Sequence, residues 1–274
     1  MKSYYIVTNR LKDPDYVFTD QVRASLIKKG CTVAEDPEGD YECIIALGGD
    51  GTVLSTIRSI KKSSDVPIVG INLGHLGFMS SVESDEVDAA IDALIKEDFD
   101  IERRMMIEAT VEQSKRNFGD VTFTALNDVV INRRGFARMI TSSVYVNDAL
   151  VNAYFADGVI VSTPTGSTGY NLSAGGPIVT PEAELMLITP ICPHSLNMRS
   201  VVVSDKDTIS INVDMSRDLE PENAILAVDG QQVMEFSQAD RVVIKKSDRS
   251  VGLVRFRDKS FFKLLYMKLG DQTD

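Results

Sequence analysis

Over the first hundred residues, short apolar runs alternate with stretches in which apolar residues recur every three or four positions. Tyr4–Val7 (YYIV), Cys43–Leu47 (CIIAL) and Val66–Ile71 (VPIVGI) read as buried strands. Between them Val22, Leu26 and Ile27 stand at helical spacing, and the pattern stops at Gly30, a natural helix end. Val53, Leu54, Ile57 and Ile60 mark a second helix, and Val87–Glu97 (VDAAIDALIKE) a third. Such alternation predicts a parallel sheet covered by helices.

The pattern changes near Arg103. MMIEATVEQ, VTFTALNDVVINR, ITSSVYVND and ALVNAYF are short, β-rich segments. Turn signals separate them at Asn117–Gly119, Arg134–Gly135 and Asn147–Asp148. SVVVSD, TISINVD, AILAVDGQQVMEF and RVVIKKS continue the series, with Val228–Gln231 (VDGQ) as an Asp-Gly hairpin turn. This predicts a β-sandwich or related all-β domain. Lys259–Gly270 (KSFFKLLYMKLG) is helical again. The expected organisation is an α/β nucleotide-binding domain over 1–102, a β-sandwich over 103–257, and a tail, 258–274, packed back on the first domain.

Composition narrows the function classes. With 274 residues, 43% of them hydrophobic, the chain supports one large core or two modest ones. A net charge of -11 argues against a long basic face for nucleic acid, and no lysine cluster for anionic lipid is visible. Cys31, Cys43 and Cys192 are scattered, which fits neither a disulfide framework nor a zinc site and suggests a reducing compartment. The opening MKSYYIVTNR is too short and polar for a signal peptide, and no apolar run approaches the roughly 20 residues that span a bilayer. A cytoplasmic protein without membrane or nucleic-acid partners is expected.

Two glycine-rich stretches carry the candidate chemistry. In Gly48-Gly49-Asp50-Gly51-Thr52 a strand runs through glycines into a helix. Helix N-termini leave unpaired N–H groups that attract anions, and glycines let backbone approach a phosphate or adopt positive φ. A bare carboxylate there would repel phosphate unless Asp50 orients metal and water, or accepts a proton from an attacking hydroxyl. A plain Asp-Gly turn with Thr52 capping the helix is the bland alternative. The stretch is neither a P-loop nor a dinucleotide fingerprint. VGINLGHLGFM repeats the pattern of glycines at a strand end. Phe78 there suits either a base or the core, and His75 reads as solvated or backbone-bonded.

LNDVVI places Asn127 and Asp128 inside an apolar strand, where a bulge, an edge or a ligand hydroxyl would satisfy them. FADGVIVSTPTGSTGYNLSAGGP opens a strand, Val159–Val161, into a run of Ser, Thr and Gly around Tyr170. Many small donors beside an aromatic suit a ribose or phosphate and a base better than they suit a plain surface loop.

With both stretches in view the chain resembles the NAD kinase family nearly end to end. The marks are GGDGT at 48–52, NLGHLGF at 72–78, LNDVVI at 126–131, DGVIVSTPTGSTGYNLSAGGP at 157–177 and PHSL at 193–196. The first is shared with lipid kinases, whereas the long Ser/Thr/Gly stretch is specific. The resemblance implies transfer of a phosphoryl group from ATP or polyphosphate, with a divalent metal such as Mg²⁺, to the 2′-hydroxyl of the adenosine ribose of NAD. It also implies a two-domain fold and a dimer or tetramer with sites completed by a neighbouring subunit. By position, Asp50 resembles the general base, and Gly48, Gly49, Gly51 and Thr52 the phosphate cradle. Phe78 resembles an adenine neighbour, and Asn127 with Asp128 the pair on an NAD ribose. Arg138 matches a substrate contact, Asp157 a residue near the nicotinamide end, and Gln231 a weaker contact. Thr165, Thr168, Gly169, Tyr170, Asn171, Leu172 and Ser173 match the adenosine loop. Many members carry arginine two residues before that aspartate, where this chain has Phe155. A lipid kinase of the diacylglycerol or sphingosine type would need basic or apolar membrane-facing segments. A catalytically silent NAD-binding regulator would have no need of Asp50. A dehydrogenase would need its fingerprint and an acid–base histidine beside it.

Overall fold

The computed structural model describes residues 1–74, 77–113, 119–135, 139–195, 197–214, 224–237, 240–256 and 260–270. The chain divides into two compact units, Met1–Arg104 with Ser250–Asp274, and Met105–Arg249.

The first unit opens with β1 (Ser3–Thr8), α1 (Val17–Lys28), β2 (Thr32–Ala34), β3 (Cys43–Gly48), α2 (Asp50–Ser59), β4 (Ile68–Asn72), β5 (Val82–Glu83) and α3 (Val87–Lys96). Strands pair in parallel in the order β2-β1-β3-β4, as the alternation predicts, and β5 joins β4. Every residue of β3 is buried, because helices cover both faces of the sheet. Cys43, Ile45 and Leu47 pack with Val22 and Leu26 of α1 and Ile91 and Leu94 of α3. The alternate residues, ending in Gly48, point to the face where α2 lies. Gly30, at φ +81, ends α1 through its left-handed backbone. Burial pushes the Cys43 thiol up to about 12, so it packs as an inert core group.

The second unit contains two sheets. One is β13-β12-β11-β8-β15-β16, antiparallel throughout, with β8 (Asp128–Arg133), β11 (Gly158–Ser162), β12 (Leu185–Ile191), β13 (Val201–Ser204), β15 (Ala224–Val228) and β16 (Gln231–Phe236). The other runs β10-β9-β14-β17, with β9 (Ile140–Val146), β10 (Ala149–Ala156), β14 (Ile209–Asp214) and β17 (Asp240–Arg255); β6 (Asp100–Gln113) joins β17 and carries β7 (Val121–Ala125). Val129, Ile131, Val159 and Val161 of one sheet and Val144, Tyr154, Ile211 and Val242 of the other share one core, which makes a sandwich. Val130 and Ile160 point outward and are still buried, packed with Ile191 and Ala174, so β8 and β11 are apolar on both faces.

Asp229 and Gly230, at φ 48 and 75, form the expected hairpin turn between β15 and β16. Asn147 and Asp148, both at positive φ, turn β9 into β10. Past Arg249 the chain re-enters the first unit, where Leu253 of β17 pairs with Ile68 of β4 and α5 (Phe261–Leu269) follows. Among the described residues no helix is long and apolar enough to cross a membrane.

Candidate active site

In the first unit the glycine turn is built by close approach. A Cβ on Gly48 would sit 2.0 Å from Thr52 Oγ1, so no side chain fits. None of Gly48, Gly49 and Gly51 lies in the left-handed region, so of the two uses of glycine it is close approach that applies here. A Cβ at Gly51 would meet nothing within 4 Å. Thr52 does not cap the helix either. The N-cap position is Gly49, with no side-chain cap, while Thr52 Oγ1 accepts from Asn9 Nδ2 at 3.2 Å. Thr52 N donates to Gly49 O at 2.8 Å and Val53 N to the same oxygen at 3.1 Å, so the amides ahead of Thr52 are the ones a helix start offers to other acceptors.

Asp50 starts α2, and its carboxylate faces the segment after β4. Oδ2 accepts from Phe78 N at 2.7 Å; Oδ1 accepts from Met79 N at 3.0 Å, Ser80 N at 3.0 Å and Ser80 Oγ at 3.1 Å. Two glycines permit this. A Cβ on Gly77 would fall 1.8 Å from Asp50 Oδ1, and one on Gly70 would fall 2.8 Å from Ser80 Cα. A carboxylate offers about four lone-pair positions, so Oδ2, with one donor among the described residues, keeps acceptor capacity. Phe78 is held in turn: its ring tilts against Phe261 of α5, Lys268 Nζ lies 5.3 Å from the ring centre, and its carbonyl accepts from Arg255 Nη2 at 2.5 Å. Lys12, which sequence reasoning missed, donates to Gly48 O at 3.0 Å.

In the second unit Leu126 and Asn127 form a bend ahead of β8, and Asp128 is the strand's first residue. The expectation that Asn127 lies inside a strand is therefore wrong. The bend exists because Asp229, from the hairpin turn, accepts from the N–H groups of Leu126 (3.0 Å), Asn127 (2.7 Å) and Asp128 (3.2 Å). The DG dipeptide thus does more than turn a hairpin. Its carboxylate positions a loop about a hundred residues earlier in the chain, a link no local pattern carries.

Asn127 Oδ1 is buried and has no hydrogen-bond partner among the described residues. Asp128 is 4% exposed, and burial together with the Asp229 charge raises its carboxyl to about 7. The segment after β11 packs on this bend. Thr163 N donates to Asn127 O at 2.9 Å, and a Cβ on Gly166 would fall 2.1 Å from the same oxygen. A Cβ on Gly169 would fall 3.7 Å from Asn127 Nδ2 and 4.0 Å from Asp128 Oδ2, so the glycine keeps the approach to both open. Tyr170, 42% exposed, begins the short helix α4 (Tyr170–Ser173). Partial burial, with Cys192, Asp157 and Asp128 close by, holds its hydroxyl above the usual value.

The other candidates scatter around this group. Thr165 is buried, Leu172 half-buried and Ser173 exposed, while Thr168 Oγ1 donates to Thr165 O at 3.4 Å. Asn171 is wholly buried. Its Nδ2 donates to Ser167 O and Pro177 O, and its Oδ1 accepts from Thr189 Oγ1, so its side chain serves the loop itself. Asp157 Oδ1 accepts from Arg133 Nε at 2.6 Å, an ion pair that sequence reasoning did not find. Phe155 is exposed, its ring 5.8 Å from that of His194. Gln231 is exposed at the start of β16. Arg138 and His75 lie outside the described residues. Among the described residues no three of His, Cys, Asp and Glu gather as metal ligands.

Comparison with known proteins identifies the family. The family model for the ATP-NAD kinase N-terminal domain matches residues 6–99, and that for the ATP-NAD kinase C-terminal domain matches residues 126–256. A NAD kinase of Lachnoclostridium phytofermentans is 45% identical over an alignment of 286 residues, spanning 99% of this chain and 100% of the relative. One from Thermoanaerobacter sp. is 45% identical over 84% of this chain and 78% of the relative. The crystal structure of an Archaeoglobus fulgidus NAD kinase in complex with ATP is similar with a TM-score of 0.77 at 26% identity, covering 98% of each chain. Yeast NADH kinase complexed with NADH shares the fold with a TM-score of 0.83 at 21% identity, covering 100% of this chain and 89% of that one. The chain belongs to the NAD kinase family, phosphotransferases with an alcohol group as acceptor.

Proposed function

We propose that the protein transfers the terminal phosphoryl group of ATP, or of polyphosphate, to the 2′-hydroxyl of the adenosine ribose of NAD, giving NADP. The observation that carries this reading is the Asp50 carboxylate, fixed by four donors from residues 78–80 and retaining acceptor capacity on Oδ2. In that role Asp50 accepts the proton of the hydroxyl as its oxygen bonds to phosphorus. The bond from phosphorus to the bridging oxygen breaks, and its electron pair leaves on the shortened donor. Gly48, Gly49, Gly51 and Thr52 cradle the donor phosphates; the open space at Gly51 and the helix N-terminus support this.

Asn127 and Asp128 hold the adenosine half of NAD, with Tyr170 against the base. The unpartnered Asn127 Oδ1 and the open approach past Gly169 support that assignment. Thr165, Thr168 and Ser173 belong to the same loop, and Asp157, Phe155 and Gln231 are the further contact candidates. A divalent cation, Mg²⁺ first among candidates, fits as a group carried on the donor phosphates. Asp50 is the carboxylate at the cradle, and a magnesium ion commonly takes one or two carboxylates plus phosphates and water. Bound there, it would neutralise charge developing on the phosphoryl oxygens.

Assembly as a tetramer, or at least a dimer, belongs to the same reading. Support comes from the edge strands β10 and β13, which expose Leu150, Val151, Phe155 and Val202. Sedimentation of a fully active monomer would exclude it. The activity is tested by incubating purified protein with NAD, Mg²⁺ and either ATP or polyphosphate and assaying NADP. NADP formation with one donor is expected; none with either donor refutes the reading.

A further inference from the structure

Two polar side chains beside the glycine turn have no task within the protein that explains them. Asn72 closes β4, is 2% exposed, and among the described residues has a hydrogen-bond partner at neither its amide oxygen nor its amide nitrogen. Leaving a buried amide unpaired is a standing penalty to the fold, and such groups usually have a reason to persist. Lys12 reaches over the turn from the segment after β1. It donates to Gly48 O and meets no carboxylate among the described residues.

Both groups border one point. A Cβ on Gly49 would lie 3.3 Å from Lys12 Nζ and 3.5 Å from Asn72 Oδ1, and one on Gly74 would lie 3.2 Å from Lys12 Nζ. Gly49 has φ 176, extended backbone open to any residue, so conformation does not require a glycine there. The missing side chain leaves space between an ammonium, an orphaned amide and the N-terminus of a ten-residue helix. That is the chemistry of a phosphoryl site: one cation, a side-chain amide and the positive end of a helix.

We propose that Lys12 and Asn72 bind the terminal phosphoryl group of the donor, the one that is transferred. The proposal rests on the reading of residues 48–52 as the donor cradle. Oδ1 is the Asn72 atom nearest the shared point, and with neither amide atom held by a partner among the described residues a half-turn about χ2 brings Nδ2 there, where its hydrogens meet phosphoryl oxygens. Lys12 has three donors, so it serves a phosphoryl oxygen while keeping Gly48 O. The contacts are to the phosphoryl group and not to a nucleoside, so they apply to ATP and polyphosphate alike.

The test uses Lys12→Met, Asn72→Leu and Gly49→Ala, each measured for thermal stability without ligands, for KM of the donor, and for Kd of NAD by direct titration. Lys12→Met and Asn72→Leu should each raise the donor KM by about tenfold or more, the scale of a lost charge-assisted or buried hydrogen bond. Gly49→Ala, whose methyl fills the shared point, should do the same. The Kd of NAD should stay within about twofold in all three. Asn72→Leu should also raise the Tm of the ligand-free protein, because it removes two unpaired polar atoms from a buried position. The donor KM is read with both ATP and polyphosphate, and the increase should appear with whichever donor the wild type uses. Unchanged donor KM in Lys12→Met and Gly49→Ala overturns the proposal, whether or not Asn72→Leu folds. A wild type that makes no NADP refutes instead the reading beneath it.

Discussion

Asp50 and Asp128 are the same side chain in opposite surroundings. Asp50 gathers four hydrogen bonds from residues 78–80 and sits at the positive end of a helix. Asp128 is buried, lies near the Asp229 charge, and has its carboxyl raised to about 7. The first environment holds the carboxylate fixed as an acceptor. The second stores an electrostatic cost that an incoming hydroxyl or other donor would relieve. The first therefore suits proton acceptance from a positioned substrate, and the second suits gripping one.

The largest expected effect comes from breaking the first environment. Asp50→Asn should lower turnover by about 10²–10⁴-fold, the range of general-base effects. The amide nitrogen would also face backbone N–H donors, costing roughly 1–3 kcal/mol of stability. Steady-state rates of NADP formation at saturating donor, beside a melting curve, check both; near-normal turnover would remove Asp50 from the chemistry.

The second environment is probed through pH. Below about pH 3 Asp128 is protonated in both the folded and the unfolded chain. As pH rises toward 7 the unfolded chain ionises and the folded one resists, so stability falls across that window and levels off above it. The cost at pH 8 is on the order of 4 kcal/mol. Asp128→Asn removes the ionisation, so without NAD its Tm should exceed that of the wild type by more at pH 8 than at pH 4.5. An equal difference at both values would mean that Asp128 does not carry the cost.

Smaller again is the effect of Tyr170→Ala. Stacking of a base on an aromatic ring is worth about 1–3 kcal/mol. The variant should bind both NAD and adenosine roughly tenfold more weakly and bind nicotinamide mononucleotide as before. Titration of the three ligands separates a base contact from a general loss of the loop. Equal weakening for all three would point to the loop.

The two regions also differ in how far they are legible without coordinates. The parallel sheet and the glycine turn follow from strand–helix alternation and from a carboxylate set among glycines, both local patterns. The turns at Asn147–Asp148 and Asp229–Gly230 are local as well. The three-residue β2 left no periodic signal, since strands that short carry too few side chains to alternate. The grip of Asp229 on residues 126–128, the Arg133–Asp157 pair and the position of Lys12 over Gly48 join residues far apart in sequence. Composition around each partner gives no hint of them. Thr52 looked like a cap because its residue type favours that position; here Asn9 claims its hydroxyl instead.

The division of labour between the two aspartates is tested most directly by titrating NAD, without donor, into Asp50→Asn and into the double variant Asn127→Ala/Asp128→Ala. Asp50→Asn should bind NAD within a few-fold of the wild type while making almost no NADP. The double variant should lose hydrogen bonds of about 0.5–1.5 kcal/mol each, more where charged, and so bind NAD at least tenfold more weakly. Normal NAD affinity in the double variant, or its loss in Asp50→Asn alone, would contradict the account.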